Sequence, residues 1–380
     1  MGAIELAQEL IRLNTGNPPG NESRVADVLE KRLKANGFNV ERVELAAGRA
    51  NLITTWNGGP GKTLVIIGHM DTIPAGQGWK HDPFAATIEN GKLYGRGASD
   101  MKGSLASIVV ALEQLKKSGW KPKGKLIFVA AANEEMGDTE DIGMGAMALK
   151  LKEMAVKDGI LVFGDTSDFT ITIAEKGVLW LEVLSHGKEA HGSTPWKGIN
   201  AIEKLGKFLI ALNNMEFTTN HPLLGKSTIS INTISGGYKT NAVPENAKAS
   251  VDIRLVPGDA KEKIMARIRD LVAEMKKKDG DMNIEIKETV FMEPVETPAI
   301  QPIVAILKQA VKEATGKDAE VRGEHGATGA SMFRKRTGLL TVACGPGKME
   351  QAHTKNECID VKDIENGVKL FESLAKKYLA

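Results

Sequence analysis

The chain has 380 residues, 42% hydrophobic and 26% charged, with 50 basic against 48 acidic side chains and a net charge of +2. That balance leaves no electrostatic footprint for nucleic acid or an anionic membrane, and no run approaches the ~18 apolar residues of a membrane span. Two cysteines, Cys344 and Cys358, cannot form a disulfide framework, and "MGAIELAQEL" lacks the basic and apolar regions of a signal peptide, so a cytoplasmic protein of two domains is expected.

Taken in chain order, residues 3–13 and 22–36 read as amphipathic helices. "NPPGNES" between them supplies breakers and a possible cap at Asn21 or Ser23. "KTLVIIGH" is a strand, and "GGPGKT" before it is a turn, because a phosphate-binding loop needs an earlier glycine and a helix afterwards. "GRGASD" likewise lacks the third glycine of a dinucleotide fingerprint. "KGSLASIVVALEQLKKSG" reads as a helix ended by Gly119 and "GKLIFVAAA" as a strand. Apolar strands alternating with helices indicate a covered, largely parallel sheet.

From Val178 the texture changes. "VLWLEVLSHG", "STISINTISGG", "NAKASVDIRLVP" and "MNIEIKETV" are strands, with helices over "GINAIEKLGKFLIALNNM" and "DAKEKIMARIRDLVAEMKKK". Strand-helix-strand-strand-helix-strand is an α+β module of the ferredoxin-like kind. The helix "QPIVAILKQAVKEATG" and the strand "GLLTVACG" then return to the first pattern. The expected organisation is one domain from residues 1–176 and 290–380, interrupted by a module over 177–289.

Acidic and imidazole groups recur where predicted strands end. His69 and Asp71 close "LVIIGHMDT", Asp100 stands in "GRGASDMKG", Glu134 and Glu135 follow the strand 126–132, Asp165 follows "GILVFG", and His353 stands in "AHTKNE". In open α/β sheets, sites form beyond the carboxyl ends of the strands. Imidazole and carboxylate together suit divalent metal; two histidines with three carboxylates are too negative for one cation, and the three carboxylates with a hydroxide balance two divalent cations.

The ordered set "GHMDT", "GRGASDMKG", "NEEMG", "HGSTP", "NAVPENA", "DIR", "GPG" and "HTKNE" resembles the acetylornithine deacetylase, succinyl-diaminopimelate desuccinylase and aminoacylase family of dinuclear zinc hydrolases. The resemblance runs through essentially the whole chain. It implies an α/β zinc-peptidase catalytic domain, a mixed sheet covered by helices, interrupted by an inserted ferredoxin-like lid and dimerisation domain. It also implies two Zn2+ per chain, with Co2+ or Mn2+ as substitutes, held by His69, Asp100, Glu135, Asp165 and His353. Asp100 would bridge the ions and Asp71 would hold the His69 ring. Glu134 would be the general base, so the backbone must bend there if both glutamates are to face the metals. His191 in "EAHGSTP" would reach the partner subunit's site in a homodimer and stabilise the oxyanion. Arg254 and Asn241 would hold the substrate carboxylate, with Thr328 in the loop beneath.

The implied reaction is hydrolysis of the amide of a small N-acyl amino acid, and a dipeptidase or aminopeptidase is the alternative. Three departures bear on that choice. Asp165 stands where deacylases of the family more often have Glu, Ala330 where many relatives have Asp, and "EEMGDTEDIGMGA" is longer than the usual loop. A non-catalytic binding protein on the same scaffold would be expected to lack Glu134 or a ligand, and none is missing.

Overall fold

The computed structural model describes residues 2–137, 141–156 and 158–380. The chain divides into two compact units, one from residues 1–173, 296–322 and 328–380 and the other from 174–295 and 323–327. The chain therefore passes between the units at 173/174, 295/296, 322/323 and 327/328.

In the first unit, strands β1 (Val40–Ala46), β2 (Arg49–Asn57), β3 (Thr63–His69), β4 (Lys125–Ala131) and β5 (Gly159–Phe163) form a sheet in the order β1-β2-β4-β3-β5, followed by Leu340–Ala343. The first two joins, β1 with β2 and β2 with β4, are antiparallel. From β4 through Leu340–Ala343 the strands are parallel. β3 is buried at all seven positions, as a central strand covered on both faces must be. Gly68 permits the close cover on one face, since a Cβ there would meet Met101 Cε at 2.9 Å and Leu105 Cδ1 at 3.1 Å. Leu105 belongs to the helix Gly103–Lys117, which the helix Val361–Tyr378 backs through a 2.8 Å bond from Ser107 Oγ to the Ile364 carbonyl.

Register decides where the site lies. His69 pairs with Ala131, and Phe163 pairs with both Ile67 and Ala343. The four parallel strands thus end together, and the segments that follow them emerge along one edge. "GGPGKT" lies between β2 and β3 with no helix after it. Neither expected residue caps the second helix, Ser23–Ala35. Glu22 takes the cap position with no side-chain cap bond, Asn21 has φ 71°, and Ser23 Oγ bonds Glu44 instead.

The second unit is built on β6 (Gly177–His186), β7 (Thr228–Gly236), β8 (Asn246–Leu255) and β9 (Ile284–Met292), in the antiparallel order β7-β8-β6-β9. With helices Ala201–Asn213 and Lys261–Lys278 between the strands, this is the ferredoxin-like arrangement. Alternate residues of β8, from Ala247 to Leu255, are buried against Phe208, Leu212 and Ile268 of the helices. Asn200 caps the first helix, its side chain accepting the Ile202 and Glu203 N–H groups at 3.0 and 3.3 Å.

Candidate metal centre

His69 is the last residue of β3 and is buried. Its Nδ1 lies 3.0 Å from the Asp71 backbone carbonyl, which can only accept, so Nδ1 carries the proton. Its Nε2 lies 3.1 Å from Asp100 Oδ1, to which it donates when protonated; once that proton is lost its lone pair is free for a metal. The second oxygen of Asp100 lies 3.4 Å from His353 Nε2, and the same Nε2 lies 2.9 Å from Glu135 Oε2. One carboxylate therefore faces two imidazoles. Ligand atoms of His69, Asp100 and Glu135 all fall within 4.8 Å of one another.

The glutamate pair sits where the backbone leaves β4. Asn133 has φ 57°, a left-handed value favoured by Asn over most side chains, and the Gly137 N–H closes a turn on the Glu134 carbonyl at 2.9 Å. This supplies the bend that two inward-facing adjacent glutamates require. Asp71 holds the turn. Its Oδ1 accepts the Glu134 N–H and its Oδ2 the Glu135 N–H, both at 3.1 Å. The His69 ring is held more closely by the Asp71 carbonyl oxygen than by the carboxylate, whose Oδ1 stands 3.5 Å from Nδ1.

A buried network backs that turn. Asn17 Nδ2 donates to Asp71 Oδ2 at 2.8 Å and to Asn133 Oδ1 at 2.9 Å. Arg49 grips Glu22 through two bonds of 2.6 and 2.7 Å and reaches Asn133 Oδ1 at 2.9 Å. Glu22 Oε1 accepts the Asn133 N–H at 3.1 Å. Sequence reasoning missed Asn17, Glu22, Arg49 and Asn133. "NPPGNE" read as helix breakers with a cap at Asn21, and the density of hydrogen-bonding side chains within it was the one signal for Asn17 and Glu22.

Electrostatics follow from crowding. Burial works against charge on His69, but hydrogen bonds to Asp100 and Asp71 outweigh it and hold the imidazole well above its ordinary pKa. His353 is pushed up to about 10, first by its bonds to Asp100 and Glu135. Burial would raise Asp100, yet its bonds to His353 and His69 leave it lowered. Asp165, following β5, is pushed up to about 6 by burial and then by the Asp100 charge. Burial raises Glu134 well above the carboxylate range, with Glu135, Asp165 and Asp71 adding and His69 opposing. So many carboxylates in one desolvated space need cations to stay ionised together.

The residues present fit divalent metal on a further count. Glu135 Oε1 is buried with no hydrogen-bond partner among the described residues, a costly state unless something else contacts it. His69, Asp100, Glu135, Asp165 and His353 have the imidazole and carboxylate donors such ions take.

Of the remaining expected residues, His191, Asn241 and Arg254 belong to the second unit and Thr328 to the first. His191 and Asn241 are neighbours in the second unit, where Ala190–His191 pairs with Ala242–Val243 and the Gly192 N–H donates to the Asn241 carbonyl at 2.8 Å. The exposed His191 ring accepts the Ser193 N–H on Nδ1 at 3.1 Å, which puts its proton on Nε2. Arg254 on β8 is paired with Asp252 through Nε at 2.9 Å and Nη2 at 3.0 Å. Thr328 accepts the Ala330 N–H at 3.2 Å, at the start of the helix Ala330–Thr337. Residues 138–140, within the long "EEMGDTEDIGMGA" segment, lie outside the described residues.

A sheet whose parallel strands end in converging imidazoles and carboxylates carries the donor set of a metal-dependent hydrolase. The chain belongs to peptidase family M20/M25/M40, whose sequence pattern matches residues 65–377. It is 27% identical to an uncharacterised metallohydrolase of Methanocaldococcus jannaschii, covering 98% of each chain. It is 27% identical to a probable succinyl-diaminopimelate desuccinylase of Staphylococcus epidermidis (99% and 97% covered) and 29% identical to an acetylornithine deacetylase of Aliivibrio salmonicida (90% and 88%). In fold it resembles an M20 metallo-carboxypeptidase from Sulfolobus solfataricus, with TM-score 0.80 and 22% identity over 99% of both chains. An aminopeptidase from Bacillus cereus gives TM-score 0.81 at 22% identity (100% and 98%). A dinuclear metal-binding peptidase from Bacillus subtilis gives 0.73 at 17% (99% and 97%).

Proposed function

We propose that the chain holds two divalent ions, zinc in the first instance, and hydrolyses the amide bond of N-acyl amino acids. The observation that carries this is Asp100, whose two oxygens face two different imidazoles. His69 and Asp165 would hold one ion, Glu135 and His353 the other, and Asp100 would be shared between them. When bound, such ions polarise the amide carbonyl and lower the pKa of water.

The chain's own groups do the rest. Glu134, neighbour to the ligand Glu135 but not itself a ligand, takes the proton of the attacking water and delivers it to the leaving amine. His191 presents Nε2–H as a donor for the oxyanion, a role supported by the Ser193 N–H that occupies its Nδ1. Arg254 uses Nε and Nη2 on Asp252, which leaves Nη1 for a substrate carboxylate, and Asn241 and Thr328 are the other substrate-binding residues in this reading.

In this reading the first unit is the catalytic domain and the second a lid through which two copies pair, each His191 serving the opposite site. The exposed Ile202, Ile210 and Ile234 in that unit, and β7 at the sheet edge, support pairing there. The names of the desuccinylase and deacetylase relatives support the N-acyl substrate. Asp165, in place of the glutamate more usual in deacylases, favours the second reading, a dipeptidase or aminopeptidase. A panel of N-acetyl and N-succinyl amino acids set against dipeptides decides between them. Higher kcat/KM on the acyl amino acids is expected, and the reverse order would replace the first reading with the second.

A further inference from the structure

Glu357 ends the "HTKNE" stretch and is fully buried, yet it lies outside the ligand set. Its carboxylate accepts four donors. Oε2 takes Arg96 Nη1 at 2.7 Å and the Gly97 N–H at 3.0 Å, and Oε1 takes the Ser99 and Asp100 N–H groups at 2.8 and 2.9 Å. The Glu357 carbonyl receives the Gly95 N–H at 3.0 Å as well.

The segment so gripped cannot hold itself. Gly97 has φ 87°, and Asp100 (φ −121°, ψ 93°) and Met101 (φ −132°, ψ 29°) break the helical path before Gly103. The N–H groups of Gly97, Ser99 and Asp100 therefore point at no helical carbonyl. Buried without an acceptor, each would cost about 1–3 kcal/mol. A single ionised carboxylate satisfies all three and adds a charge-assisted bond to Arg96. Arg96 is itself fixed over the Trp79 ring at 5.1 Å.

We propose that Glu357 is the positioning residue for the shared carboxylate: it fastens the loop bearing Asp100 to the loop bearing His353, and so sets how the two Asp100 oxygens face the two imidazoles. This rests on the dinuclear reading above. Glu357 lies four residues after His353, and its side chain binds the Asp100 backbone directly. Losing it would free Asp100 to turn, which would leave each half-site its other ligands but spoil the bridge. "GRGASD" and "HTKNE" are then two halves of one clamp, which explains why the first needs Arg and Gly at positions 96 and 97.

The test titrates the metal-free full chain with Zn2+ by calorimetry and with Co2+ by visible spectroscopy, comparing wild type, Glu357→Gln and Asp100→Ala. Glutamine keeps the shape but turns an amide donor toward donors. The weaker of the two metal steps should fall about 10- to 100-fold in Glu357→Gln, with an altered Co2+ spectrum, in protein that circular dichroism shows to be folded. A merely structural role would lower the melting temperature and leave the spectrum of the folded protein unchanged. If Glu357→Gln does not fold, Glu357→Asp, which keeps the charge but draws it back from the backbone N–H groups, is read by the same two titrations. Wild-type affinities and spectrum in the folded variant, with Asp100→Ala losing a site, would overturn the role of Glu357 alone. Two intact sites in Asp100→Ala would overturn the dinuclear reading itself.

Discussion

Replacing Asp71 by asparagine separates two roles that one residue plays. The backbone carbonyl that holds the His69 ring survives the change, whereas the carboxylate that holds the Glu134–Glu135 turn does not. Asparagine keeps one acceptor oxygen and sets an NH2 group against the other N–H, leaving one buried donor unsatisfied at a cost of about 1–3 kcal/mol. Chemical denaturation of the metal-free chain should register a loss near 2 kcal/mol at neutral pH. Burial raises the Asp71 pKa, but His69, Asn17 and the Glu134 N–H outweigh it and leave the group lowered in the fold. Its contribution is thus complete above the unfolded value of about 4 and disappears as pH falls through the lower folded value, so the gap between variant and wild type should close in acid. In the metal titration, the step that uses Glu135 and His353 should weaken about 10- to 100-fold while the His69 step changes less. Stability within about 0.5 kcal/mol of wild type and two unchanged metal steps would refute the assignment. A selective loss of the His69 step would return the carboxylate to orienting the imidazole.

Glu134→Gln should keep both ions and lose at least ~10² in kcat, whereas Glu135→Ala should lose metal; swapped phenotypes would exchange base and ligand. Zinc binding should release protons near neutral pH, because the raised pKa values of His69 and His353 mean that both imidazoles must shed a proton to ligate. Affinity should accordingly rise with pH toward the His353 value of about 10, and calorimetry in buffers of different ionisation enthalpy reads the proton count; pH-independent affinity would contradict it. Arg254→Ala should weaken substrates with a free α-carboxylate by about 1.5–3 kcal/mol and leave their amidated counterparts little changed. An unaltered preference between the two would take Arg254 out of the site.

Much of the frame was legible because apolar runs stop where chemistry begins. "LVIIGH" and "GILVFG" mark strands whose ends line up once register is set, so the placing of His69 and Asp165 at neighbouring strand ends could be read from the chain alone. The domain crossings were less legible. Ile171–Glu175 runs into β6 with only Lys176 between, and period-two alternation does not change where a strand passes from one unit to the next. The clamps were not legible at all. Asn17 meets Asn133 across 116 positions and Glu357 meets the Asp100 backbone across 257, and no local pattern announces a bond closed over such a distance. Helix capping failed for a related reason, since the Ser23 hydroxyl is taken by Glu44 from the neighbouring strand.

The most direct measurement returns metal to the chelated enzyme in counted equivalents while following hydrolysis of an N-acyl amino acid. Activity should be absent without metal, depend on filling both sites, and reach its plateau at two ions per chain by elemental analysis. Full activity at one ion per chain, or turnover that persists after complete chelation, would contradict a dinuclear hydrolase built around Asp100.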